Sequence, residues 1–250
     1  MDSLHLALVG LAAAAGGAVN AIAGGGSLIT FPALVACGVP PVLASATNTV
    51  AMCPGYLGAT YAQRRELSGQ RARILRLIPA GAIGGVIGAL LLLHTDPRVF
   101  GFVVPFLLLA AILLLGFQDQ IKRRLHNIAS EAFAPVITGL AAIYGGYFGA
   151  GLGVIILAAL AIVIAESLTR LNALKQLISL VVNVTAAIVF LAIAPLDPVT
   201  TLVMAACSLV GGVVGGRIAS RISAKHLRYV VLALGSAIAI DYFAKLFGIL

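Results

Sequence analysis

The chain has 250 residues, 61% of them hydrophobic and only 10% charged, with a mean hydropathy of +1.12 and a formal net charge of +8. It contains long runs without a single Asp, Glu, Lys or Arg, and a helix needs about 20 residues to cross a bilayer core. This is the composition of an all-α polytopic membrane protein, and it excludes a water-soluble α/β enzyme. The positive charge does not point to nucleic acid, because the basic residues cluster between the apolar runs, as loops retained on the cytoplasmic side do.

The first uncharged run covers residues 6–63. Its start, "MDSLHLALVG", lacks a basic n-region, so no cleaved signal peptide is expected. Within it stands "NAIAGGGSLITFP", from Asn20 to Pro32. Three consecutive glycines cost about 1 kcal/mol each relative to alanine in a helix interior, so the helix is expected to break at Gly24, Gly25 and Gly26. A helix restarting at Ser27, with Ser27 as its N-cap, presents unpaired N–H groups and a partial positive charge, which suit an anion. "SATNT" follows and adds Ser45, Thr47, Asn48 and Thr49 as polar groups within the run.

Next come Arg64, Arg65, Arg71, Arg73 and Arg76, two apolar runs at 77–93 and 99–117, and a second basic cluster at Lys122, Arg123 and Arg124. A third cluster, Arg217, Arg221, Lys225 and Arg228, follows the runs 176–196 and 199–216. If all three clusters share one side, an even number of crossings separates each pair. The run 132–165 must then go in and come back. Its middle, "YGGYFGAGLGV", holds Gly145, Gly146, Gly149, Gly151 and Gly153, where such a hairpin would turn.

Laying Gly24-Gly25-Gly26 on Gly151-Leu152-Gly153 places two breaks 127 residues apart and aligns Ala159 with Pro32. The expected architecture is two inverted-topology repeats, residues 1–125 and 126–250. Each is a glycine-broken hairpin followed by three transmembrane helices. Both termini then lie outside; if residues 6–37 cross once instead, the N-terminus is inside.

Paired interrupted helices in corresponding positions of two halves mark a transport site. The second half adds "RLNALKQ", with Asn172, Lys175 and Gln176, and then Asn183. An ammonium inside a membrane is by default functional, whereas Lys175 one turn past Arg170 can also snorkel to the interface. The glycine sets Gly81, Gly84, Gly85, Gly88 and Gly211, Gly212, Gly215, Gly216 read as close helix packing. Cys37, Cys53 and Cys207 form no C-x-x-C pair and read as small apolar packing. No carboxylate sits deep in a span: Glu166 is at a helix end, and Asp241 is placed to pair with Lys245. His5, His94, His126 and His226 lie at run ends, so no metal, cofactor or enzymatic role is expected.

At these residues the chain resembles the TauE/SafE family of sulfite exporters and related organic-anion permeases. "AGGGSLITFPAL" followed by "ASATN" is similar to the first-half signature, and "NALK" followed by Asn183 to the second. The resemblance implies a multi-pass permease of the cell membrane that moves small sulfur-containing or carboxylate anions such as sulfite or sulfonates. It implies no cofactor, and it carries Gly24 to Ser27, Thr47, Asn48, Asn172 and Lys175 over as ligand residues. Gly151, Gly153 and Gln176 complete the candidate set. "GAGLGV" lacks the triple glycine and the serine of the first break. An anion channel and a non-transporting membrane scaffold or assembly factor are the alternatives, and a homo-oligomer is compatible with the sequence.

Overall fold

The computed structural model describes residues 1–125 and 130–218, with scattered positions between 229 and 243. Its helices are α1 (Ser3–Ile22), α2 (Ser27–Ala36), α3 (Pro41–Ala62), α4 (Arg71–His94), α5 (Pro97–Leu125), α6 (Ala134–Tyr147), α7 (Leu152–Val163), α8 (Leu168–Ile193) and α9 (Pro198–Ile218). No strand forms among the described residues. The helix starts follow from local chemistry. Asp2 and Ser167 cap α1 and α8 by accepting the amides of His5 and Arg170. Pro41 occupies the first turn of α3, where its missing N–H costs nothing. Asp197 caps α9 by accepting the Thr200 amide at 2.9 Å.

Five of these helices are long and apolar enough to cross a membrane: α1, α4, residues 97–117 of α5, α8 and α9. α2 and α7, with 10 and 12 residues, are too short to do so. The expected third helix of the second half, the side chains of Lys122, Arg123 and Arg124, and Arg221, Lys225, Arg228, His126, His226 and the Asp241–Lys245 pair lie outside the described residues.

Side-chain contacts fix where each hairpin begins and ends. Arg73, in the first turn of α4, donates from Nε to Glu131 just before α6 and from Nη1 to Glu166 just after α7, both at 2.8 Å. One guanidinium therefore holds both feet of the α6–α7 hairpin. The run 132–165 enters and returns to the same end, as the even-crossing rule requires. At the opposite end, Met1, Cys37 and Gly38 line one cavity with Asp197 and Thr200. The α1–α2 hairpin thus also returns to its own end, and the N-terminus lies away from Arg73.

α1 lies along α9 and α6 along α4, and small residues let the backbones approach. A Cβ added to Gly211 would fall 2.0 Å from the Ala14 carbonyl oxygen, and one on Gly88 would fall 2.2 Å from that of Ile143. Without a hydrophobic drive between helices in lipid, this contact is how they associate. Gly81 is the exception, with its nearest atom 3.5 Å away. α9 is further tied to α3 by Ser208, whose hydroxyl donates to the Ala51 carbonyl at 2.6 Å.

The Arg73 staple has a pH signature. The hydrogen bond from Arg73, helped by the charge of Arg170, holds the Glu166 carboxyl below its ordinary value of 4.5. A carboxylate depressed in the folded state stabilises the fold fully above its unfolded pKa, and loses that contribution as pH falls through the folded value. The melting temperature in detergent is therefore expected to drop on acidification below about pH 4.5. Arg73→Gln should lower it at neutral pH and flatten the acid-side slope. An unchanged slope in the variant would remove the staple as the cause.

Candidate functional site at the helix breaks

α1 ends at Ile22 and α2 begins at Ser27; α6 ends at Tyr147 and α7 begins at Leu152. The chain turns through Gly24 at φ +73° and, in the second hairpin, through Gly149 at +75° and Gly151 at +76°. These are left-handed values that favour glycine. Gly26 and Gly151 precede the restarting helices. Counted from the helix ends, Gly24 stands opposite Gly149, while the overlay of Gly24 on Gly151 pairs two glycines of the same left-handed φ. α7 is two residues longer than α2, so the 127-residue offset returns where α3 and α8 begin.

The two breaks touch. A Cβ on Gly24 would lie 2.9 Å from the Gly153 carbonyl carbon, and one on Gly153 would lie 3.0 Å from the Gly24 Cα. Phe31 of α2 packs edge-on against Phe148 of the second break at 5.1 Å. Gly151 does not join this contact, since its open face meets Ala111 of α5.

Polar side chains of α8 converge on the end of α1, whose last carbonyls have no partner within the helix. Lys175 Nζ donates to the Asn20 carbonyl at 3.0 Å, and Gln176 Nε2 donates to both Asn20 and Ala21 at 2.9 Å. Asn172 Nδ2 donates to Ala21 at 3.2 Å and to Gln63 Oε1 at 2.8 Å, while Gln63 Nε2 reaches Ala21 at 3.3 Å. Cationic and N–H donors suit the negative end of a helix dipole. Lys175 is fully buried, about 10 Å along α8 at 1.5 Å per residue. It does not snorkel.

At the restart, the structure departs from the expected anion cradle. Asn20 Oδ1 accepts from the amides of Gly25 at 3.0 Å and Gly26 at 2.6 Å. Two of the N–H groups expected to face an anion, those of Gly25 and Gly26, are thus held by this chain's own amide. Ser27 is the first residue of α2 and Gly26 is its N-cap, so the capping role falls not to the Ser27 hydroxyl but to Asn20. Thr30 Oγ1 donates to Asn48 Oδ1, which ties α2 to α3. At the second break Ser45 does the corresponding work, donating to the Phe148 carbonyl at 3.3 Å.

Of two polar cavities, one reaches this cluster at Gln63 and Asn172 and the other lies at the opposite end of the helices. One of about 480 Å³ at the basic end is lined by Gln63, Arg65, Asn172 and Arg217. The other, of about 250 Å³ at the opposite end, is lined by Thr47, Asp197 and Thr200. A third, of about 510 Å³ near Cys53, Pro54 and Leu191, has no charged group in its walls.

A chain with two apolar broken hairpins, crossing at glycine and ringed by "SATN" and "NALK" side chains, has matches among known proteins. Residues 8–242 match the family described as "Sulfite exporter TauE/SafE". The chain belongs to this family. It is 30% identical to the probable membrane transporter protein YfcA of Escherichia coli (strain K12) over 232 residues, 89% of this chain and 82% of that one. It is 29% identical over 247 residues to the probable membrane transporter protein ORF9 of a Sinorhizobium species, 96% and 92% of the two chains. A probable membrane transporter protein of Haemophilus influenzae is 28% identical over 201 residues, 80% and 79%. This TauE/SafE chain is accordingly a multi-pass protein of the cell membrane in a family of transporters.

Sequence reasoning missed Asn20, Gln63 and Thr30. Asn20 carried a signal: a lone amide in an apolar run, four residues before a glycine break, is within reach of the amides that the break frees. Gln63 and Thr30 carried none, because their partners are distant in sequence. Asn20→Ala should orphan the Gly25 and Gly26 amides at about 1–3 kcal/mol each, lowering the melting temperature in detergent by several degrees. Asn20→Asp keeps the acceptor and should keep most of that stability. Equal melting of all three proteins would show that the two hydrogen bonds contribute nothing.

Proposed function

We propose that this chain is a secondary transporter that moves small sulfur-containing or organic anions, such as sulfite or sulfonates, across the cytoplasmic membrane. One observation carries the reading. A fully buried lysine stands where two helix breaks cross, between cavities that open at opposite ends of the helices. An ionisable residue at that depth is by default functional, and the family description, a sulfite exporter, names a small anion of the opposite charge.

The two hairpins divide the chain into repeats at 1–125 and 126–250, related by inversion. Three contacts support this: α1–α2 and α6–α7 return to opposite ends, α1 lies on α9 as α6 lies on α4, and the C-terminal end of α3 meets the N-terminal end of α8 through Gln63 and Asn172. The close approach of Gly24 to Gly153 supports a carrier over an open channel. In the cycle, an anion arriving past Arg65 and Arg217 displaces the Asn20 carbonyl from Lys175. Movement of one repeat against the other then exposes the site toward Thr47 and Asp197.

The test is uptake of radiolabelled sulfite, a sulfonate and acetate by proteoliposomes. Wild type should show saturable, counter-exchangeable uptake of one of them. Lys175→Ala should lose at least about tenfold, since a charge-assisted hydrogen bond is worth roughly 1.5–3 kcal/mol. Flux that never saturates would indicate a channel. No uptake by folded protein would sink the substrate class.

A further inference from the structure

The cluster at the end of α1 offers acceptors as well as donors. Gln176 spends its Nε2 on the carbonyls of Asn20 and Ala21, and Asn172 spends its Nδ2 on Ala21 and Gln63. Those bonds fix which end of each amide is nitrogen. They leave Gln176 Oε1 and Asn172 Oδ1 buried with no hydrogen-bond partner, and Gln176 is fully buried. Both oxygens belong to amides anchored on the single carbonyl of Ala21, one turn apart on the same face of α8. Asn20 Nδ2 is likewise buried and unpartnered, because its Oδ1 is committed to Gly25 and Gly26. The cavity at the basic end reaches this group at Asn172 and Gln63.

A bare anion such as an alkylsulfonate has only acceptor oxygens. It would accept from the Asn20 amide beside Lys175, but would leave both carbonyl oxygens unmet and set its own negative oxygens beside them. Resting on the transport reading above, we infer that the site selects a monoanion that carries its own O–H donor: a hydroxyl-bearing sulfonate or singly protonated sulfite. The O–H donates to Gln176 Oε1 or Asn172 Oδ1, and the anionic oxygens accept from Asn20 Nδ2 beside Lys175. Selection of this kind is strong because a buried polar group made for a hydroxyl is left unpaired by the analogue that lacks it.

The test uses a pair of probes with one charge at every pH: 2-hydroxyethanesulfonate and ethanesulfonate. Each is titrated against the melting temperature of the purified full-length protein in detergent, so the readout does not depend on transport. In wild type, the hydroxylated anion should reach half its effect at about tenfold lower concentration, the discrimination that one unpaired buried acceptor gives. In Gln176→Met the ratio should fall close to one. If that variant does not fold, Asn172→Leu removes the other acceptor and is read in the same way. Equal potency of the two anions on wild type overturns the inference while leaving transport intact. A preference that survives loss of the acceptors overturns it too. If neither anion stabilises wild type, the inference fails, and the proteoliposome uptake above decides separately whether the transport reading fails with it.

Discussion

A helix that stops inside hydrocarbon strands its last carbonyls and the first amides of whatever follows, and no water is there to take them. The rest of this molecule is arranged around that constraint. At the first break the carbonyls of Asn20 and Ala21 are met by Lys175, Gln176, Asn172 and Gln63, and the amides of Gly25 and Gly26 are met by Asn20 itself. The position of α8 against α1 is therefore set by hydrogen bonds and not by apolar contact alone. α3 is held to the same point through Gln63 and through the Asn48–Thr30 bond. Removing the break would remove the reason for burying Asn20, Gln63, Lys175 and Gln176.

Much of the fold was legible in the sequence, because charge and hydropathy act over whole segments. Three basic clusters and the length of the apolar runs were enough to require that residues 132–165 return to their own side, and Arg73 bridging Glu131 and Glu166 is the physical form of that requirement. The first hairpin was not constrained in this way, since residues 6–63 carry no charge to count. Its return had to be read from Met1 and Gly38 sharing one cavity.

Composition was a poorer guide to the site. "GGGS" announces a break and its glycines do meet Gly153, but which group satisfies the freed amides is a matter of reach. The serine that looks like a cap lies one residue inside the helix, while the asparagine six residues upstream of Gly26 does the capping. The overlay at 127 residues matches the starts of the helices at Pro41 and Leu168 and pairs Gly24 with Gly151, both left-handed, while α7 is two residues longer than α2.

The two breaks are alike in backbone and unlike in chemistry, and the difference bears on where a substrate would sit. At the second break the carbonyls of Tyr147 and Phe148 receive one hydroxyl, from Ser45, and Ala150 receives that of Tyr144 at 2.7 Å. Phe148 itself is packed among Phe31, Phe100 and Tyr144. That break is a neutral, aromatic-filled joint. The first carries an ammonium, four side-chain amides and unmatched oxygens. If the two halves move against each other as proposed, the second break has only the Ser45 hydroxyl to exchange with α3, beside its edge-on rings. The first break cannot move without exchanging partners. A ligand that replaces those partners would stabilise the intermediate arrangement, and one that does not would leave buried polar groups exposed to nothing. A single binding locus at the first break, and not two symmetric ones, is what this asymmetry supports.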